Sequence, residues 1–269
     1  MNLAIVFSRD RPAQLSLLLN SIWKNAPQLF PKGVVVLYRY TQPQYAEGYE
    51  LARNRHPNAV WIPEADFRND VDQILEPQKQ HVTFLTDDDV FYRPFAYEPL
   101  PWHEMDLDPD LLTVSLRLGN NTTYCYPMNQ EQELPQACER HRDMYKFLWR
   151  AGQWDFGYPG SLDGNVWHAA TIKRFLAGTE FINPNGMEDV LVKACQGSHQ
   201  QLMGCYRLST IVNIPANLVN VTHRNRHSDR HDTGDLNRRY LEGKQLALNM
   251  IDLNKINSPH CERELIFSD

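Results

Sequence analysis

Within its first ninety residues the chain alternates short apolar runs with amphipathic segments, and this rhythm restricts the fold more than any other feature. Leu3 to Phe7 is an apolar run of strand length. Segment 12–25 opens with Pro12 and places Leu15, Leu18, Leu19 and Ile22 at helical spacing with polar residues opposite, which predicts a crossover helix. The same reading predicts a strand at Gly33 to Tyr38, a helix at 43–54 and a strand at Ala59 to Ile62. A short helix at Arg68 to Leu75 and a strand at His81 to Thr86 follow. Three βα units in succession exclude a helical bundle and an all-β sandwich and predict an α/β sheet flanked by helices.

Later segments are less regular. Leu111 to Arg117 and Cys205 to Ile214 predict strands; 164–177, capped by Asp163, residues 187–196 and 235–252 predict helices. The stretch 119–136, rich in Asn, Gln and Pro, predicts a loop, and a loop that long is expected to line or cover a site. No repeat or linker divides the 269 residues, so a single domain is expected.

Charge and cysteine usage narrow the function class. Thirty-three acidic against 27 basic residues give a net charge of −6, which argues against a surface built to follow a nucleic-acid backbone. Five scattered cysteines, Cys125, Cys138, Cys195, Cys205 and Cys261, form no CxxC pair and fit a reduced, cytoplasmic compartment. No signal peptide and no apolar stretch of about 18 residues is visible. Trp102, Trp149 and Trp154 read as core or cleft aromatics, with peripheral membrane contact as the alternative.

The strongest chemical signal is Thr83-Phe84-Leu85-Thr86-Asp87-Asp88-Asp89, a strand whose carboxyl end delivers three successive carboxylates. Ligands bind at that edge of open α/β sheets. Three adjacent carboxylates repel one another unless a cation neutralises them, and hard oxygen donors suit Mg2+ or Mn2+ holding a diphosphate. A solvated acidic turn is the alternative.

With this motif the sequence resembles the GT-A glycosyltransferases, nucleotide-diphospho-sugar transferases with a DXD motif, and is similar to their family 2-like group. Ala4-Ile5-Val6-Phe7-Ser8-Arg9-Asp10-Arg11-Pro12 looks like the family's first strand and turn, and Asn185-Gly186-Met187-Glu188-Asp189 like its acceptor-side ED motif. The resemblance implies a Rossmann-like mixed sheet with a nucleotide-binding half at 1–92 and an acceptor-shaping half at 93–269. It also implies a hexosyltransferase-like enzyme that uses a UDP- or GDP-sugar and a carbohydrate or glycolipid acceptor.

The resemblance carries residue roles as well. Ser8, Arg9, Asp66, Arg68, Asp87 and Asp88 would meet the nucleotide and donor, and Trp154, Asp163, Gly164 and Asn165 the sugar pocket. Asp89, with Asp87 and His223, would hold Mn2+ or Mg2+. Asp189, or second Glu188, would be the base of an inverting displacement; retention would give Asp189 another role. His223, His227 and His231 recur every four residues beside Arg224, Arg226 and Arg230, a pattern that also suits a metal-dependent hydrolase. A noncatalytic sugar- or nucleotide-binding protein is the remaining alternative. A nucleotidyltransferase is disfavoured because Ser8 to Pro12 holds no glycine.

Overall fold

The computed structural model describes residues 1–217 and 231–268. Its centre is a nine-stranded mixed sheet. The first four strands, β1 (Asn2–Arg9), β2 (Val34–Arg39), β3 (Ala59–Pro63) and β4 (His81–Thr86), pair in parallel in the order β3-β2-β1-β4. Helices α1 (Pro12–Asn25), α2 (Pro43–Arg55) and α3 (Phe67–Leu75) connect them. Each predicted element of this half lies within one or two residues of the observed one. Strand alternation assigns the side chains of β1: Leu3, Ile5 and Phe7 enter the core on one face, Ala4 and Val6 that on the other.

The chain runs outward from β1 to β3 and returns on the other side of β1 as β4. The carboxyl ends of β1 and β4 therefore flank a point where the connection reverses direction, the place where a crevice opens in such sheets. A two-residue turn, Asp87-Asp88, follows β4 and leads into β5 (Asp89–Phe91). Beyond β4 the sheet continues through β6 (Leu111–Ser115), β9 (Glu139–His141), β10 (Met144–Leu148), β11 (Asn165–His168) and β12 (Leu202–Tyr206). Strand β11 is antiparallel to both β4 and β6, which makes the sheet mixed. Residues 119–136 form the expected long connection, with only a small hairpin, β7 (Tyr124–Cys125) and β8 (Gln130–Glu131). Strand β13 (Ile211–Asn213) pairs with β5 outside the main sheet.

Three predicted elements differ. The helix at 164–177 begins only at Ala169, as α5 (Ala169–Leu176), because Asn165 to His168 insert as β11 and bury Val166 and Trp167. Asp163 therefore caps no helix. The strand at 205–214 is two strands, β12 and β13, separated by a turn. The helix at 235–252 is α7 (Thr233–Leu241) and stops before Gly243, whose φ of +93° favours glycine. Helices α4 (Pro101–Leu107) and α6 (Pro184–Gln196) complete the flanking layers. No helix among the described residues is long and apolar enough to cross a membrane. Trp102 and Trp149 are buried, whereas Trp154 is 42% exposed.

One close contact positions the site. Gly160 lies against α6, and a Cβ at that position would stand 2.7 Å from Val192 Cγ2 and 2.9 Å from the Val192 backbone nitrogen. Gly160→Ala is expected to push the loop carrying Asp163 away from the helix carrying Glu188 and to cost about 1–3 kcal/mol, measured by urea unfolding.

Candidate functional site

A cleft of about 740 Å3 opens at the carboxyl edge of β1, β2 and β4. Strand ends deliver Ser8, Arg9, Arg39, Asp87 and Asp88 to it, and the later half of the chain delivers Arg117, Asp163, Glu188, Asn213 and His260.

The floor is an ion-pair network. Arg11, 7% exposed, donates from Nη1 to Asp87 Oδ1 at 3.0 Å and to Asp88 Oδ2 at 2.9 Å, and from Nε to Asn217 Oδ1 at 2.8 Å. Its Nη2 also bonds the Asn217 carbonyl. The other oxygen of Asp87 accepts from Ser8 Oγ at 2.8 Å and from the Arg9 backbone N–H at 3.0 Å. Both oxygens of Asp87 are thus engaged by the protein. Burial pushes the Asp87 carboxyl up to about 6, opposed by Arg11.

Strand geometry separates the three consecutive aspartates. Asp89 returns into β5, has no exposed surface and does not line the cleft. It accepts from the Thr86 backbone N–H at 2.9 Å and from Asn213 Nδ2 at 3.2 Å. Burial, Asp163 and Asp88 raise its carboxyl well above the usual range. Asp89 thus lies away from the cleft, whereas Asp87 lines it with both oxygens held by Arg11, Ser8 and the Arg9 N–H. Asp88 Oδ1 and Asp163 Oδ1 stand 2.9 and 3.0 Å from one hydroxyl, Thr86 Oγ1. Asp88 Oδ1 also accepts from Asn213 Nδ2 at 2.9 Å and its Oδ2 from Arg11, so Asp88 has partners on both oxygens.

Asp163 also faces His260, Oδ2 to Nε2 at 3.3 Å, and despite its burial Asp163 is held below its usual range chiefly by that imidazole. His260 is raised by the same contact. Arg117, 2% exposed, pairs with Asp155 at 3.2 Å. Gln132, from the long connection, holds Asp155 from the other side, so this connection does line the cleft, through Cys125, Tyr126 and Met128.

In the Glu188-Asp189 pair the helix phase decides which side chain enters. Met187, Leu191 and Cys195 are the buried face of α6, and at 100° per residue Asp189 lies about 200° from Met187, on the exposed side. Glu188 lines the cleft, and its Oε1 accepts from the Leu162 backbone N–H at 3.3 Å. Burial and the charge of Asp163 push its carboxyl up to about 7.

The remaining expectations divide. Ser8, Arg9, Trp154 and Asp163 line the cleft. Asp66 is instead the exposed N-cap of α3, accepting from the Asn69 N–H at 2.8 Å. Arg68 turns to the Leu176 and Thr179 carbonyls and to Asp72. Glu64, two residues before Asp66 and 3.3 Å from Arg39, occupies the cleft position expected of Asp66. Gly164 is a backbone requirement: its φ is +79°, and a Cβ added there would meet Ile211 Cδ1 at 2.4 Å. Asn165 is buried and donates to the Pro159 carbonyl at 2.8 Å. His223 and His227 lie outside the described residues, with Arg224, Arg226 and Arg230; His231 Nε2 accepts from the Leu265 N–H at 3.0 Å. Arg117, Asn213 and His260 carried no local sequence signal, because their partners are distant in the chain.

No family model matches the chain. The bifunctional glycosyltransferase pgtA of Dictyostelium discoideum is 25% identical over 190 residues, covering 65% of this chain and 25% of that protein. The chain thus spans about a quarter of the length of this curated relative. The crystal structure of GalNAc-T7 with UDP, GalNAc and Mn2+ superimposes with a TM-score of 0.52 at 9% identity, over 90% of this chain and 47% of that one. S. aureus TarS superimposes with a TM-score of 0.47 at 16% identity, over 78% and 35%. The mixed sheet flanked by helices is the GT-A architecture, and in sequence the chain is similar to a glycosyltransferase.

The Arg11 network yields a direct test. Arg11→Met is expected to destabilise the protein by about 3–5 kcal/mol in urea unfolding, because Asp87 loses its buried counter-charge. Adding Asp87→Asn is expected to recover part of that loss.

Proposed function

We propose that this chain is a glycosyltransferase domain that transfers a hexose from a UDP- or GDP-sugar to a hydroxyl of a carbohydrate or glycolipid. One observation carries the reading: Glu188, with its carboxyl raised to about 7, shares a cleft with the Asp88 and Asp163 carboxylates at the topological switch point. The glycosyltransferase relative supports the same class. Residues 1–92 serve the donor, and 93–269 the acceptor.

The donor base enters between Leu37 and Phe67, where the Glu64 carboxylate accepts from a base N–H. Arg9, whose side chain is exposed at the cleft, meets the diphosphate. Trp154 and Tyr158 give the sugar and acceptor an aromatic wall. The left-handed φ of +48° at Trp154 is a strained conformation for a bulky residue, of the kind found at ligand sites.

The cleft chemistry fits a divalent cation. The Asp88 and Asp163 carboxylates both line the cleft and converge on the Thr86 hydroxyl, a pair of hard oxygen donors of the kind Mn2+ or Mg2+ takes. Asp88 and Asp163 would hold the ion beside His260, and the bound ion supplies charge neutralisation for a leaving diphosphate. The protein's own residues do the rest. Glu188 accepts the proton of the acceptor hydroxyl as its oxygen forms a bond to the anomeric carbon. The bond from that carbon to the diphosphate oxygen breaks, its electron pair leaves with the nucleoside diphosphate, and the anomeric configuration inverts. Arg117 keeps Asp155 fixed under the acceptor wall.

Glu188 must be ionised to act, so kcat/KM is expected to rise about tenfold per pH unit below about pH 7 and to level off above it. Glu188→Gln is expected to lower kcat by about 10²–10⁴-fold, while Asp189→Asn leaves it unchanged, measured as nucleoside diphosphate release from a matched donor. UDP or GDP with Mn2+ is expected to raise Tm in the native protein and to lose that effect in Asp88→Asn. Absence of a shift with every nucleoside diphosphate would overturn the donor-site reading.

A further inference from the structure

The far end of β4 carries a second cluster of ligating side chains. His81, the first residue of β4, and His168, the last of β11, are direct cross-strand partners. Their rings stack with centroids 4.5 Å apart and planes tilted 40°. Asp106, on α4, brings its carboxylate Oδ1 to 3.3 Å from His81 Nε2. One ligand atom from each of the three lies within 4.8 Å of the others, the one such trio among the described residues. Thr86 is five residues along β4, so the cluster is on the order of 17 Å from the cleft.

An independent observation points to a ligand. His81 is 2% exposed, yet neither Nδ1 nor Nε2 makes a hydrogen bond; the Asp106 oxygen is near without being aligned. A buried imidazole with both nitrogens unsatisfied is costly and rare in folded proteins. His168 is oriented by the bond from its Nε2 to the Met105 carbonyl at 3.0 Å, the kind of outer contact that fixes a metal-binding imidazole. Asp106 supplies a negative charge, with Lys32 and the Met1 amine also nearby.

We propose that His81, His168 and Asp106 form a transition-metal site, with Zn2+ the fitting ion, that clamps α4 to the β4–β11 strand pair. Two imidazoles and a carboxylate suit a borderline-soft ion, unlike the all-carboxylate chemistry of Asp88 and Asp163. A redox-inert ion tying three elements together serves the scaffold and not the transfer reaction, and the site does not depend on the function proposed for the cleft.

The test is a calorimetric titration of the chelator-treated full chain with Zn2+ alone. One equivalent is expected to bind in the native protein and equally in Asp88→Asn, which separates this site from the cleft. Asp106→Asn and His168→Gln, both at positions with exposed or half-buried side chains, are expected to weaken binding by about tenfold or more while circular dichroism stays native. Co2+ is expected to give a four- or five-coordinate ligand-field spectrum that His168→Gln abolishes. No Zn2+ binding, or binding indifferent to both substitutions, would overturn the proposal.

Discussion

The Arg11 guanidinium sits where β1, α1 and the end of β4 meet, and the rest of the cleft is arranged around what it neutralises. It takes one oxygen from each of Asp87 and Asp88 and is itself tied to Asn217. An unpaired carboxylate as buried as Asp87 would be costly, so the pairing allows three aspartates to follow a parallel strand without opening it. Arg117 repeats the device on Asp155 at the cleft wall, where the His260 imidazole also faces Asp163. Asp88, Asp163 and Glu188 face the open volume, the first two with Arg11 and His260 beside them.

The first half of the fold was legible because its signals are local. Apolar periods of two and 3.6 residues, with Pro12 at a helix start, fix β1 to β4 and α1 to α3 with little help from distant contacts. The carboxylates at the end of β4 announced the position of the cleft for the same reason. What sequence spacing could not resolve was which carboxylate faces which way. Asp87, Asp88 and Asp89 differ only in a turn, and the pairing of Asp89 with Asn213, 124 residues later, is what draws it inward. The choice between Glu188 and Asp189 was readable in principle, since Met187 and Leu191 set the phase of α6. Asp66 and Arg68 show the opposite outcome: polar residues at a helix start met their backbone needs locally and left the cleft to Glu64.

The long connection shows how an irregular segment acquires a fixed shape. Thr122 and Gly119 bond each other, Asn121 bonds Ser209 and the Ile256 carbonyl, and Gln132 reaches Asp155. Tyr126 bonds Glu262. Polar side chains thus do for this stretch what ladder hydrogen bonds do for a strand, and they hold Cys125 to Met128 at the mouth of the cleft.

The bridge between Asn213 and His260 has a bearing on how the chain reaches this state. Ser8, Asp88, Asp163, Glu188 and His260 are spread over some 250 positions, so the cleft is made of contacts between segments that leave the ribosome far apart in time. A nascent chain ending short of residue 260 already holds the parallel strands β1 to β4 but lacks the imidazole that faces Asp163. Such a partly translated form has a sheet without a finished cleft, whose lining is complete only when His260 has been added and folded back.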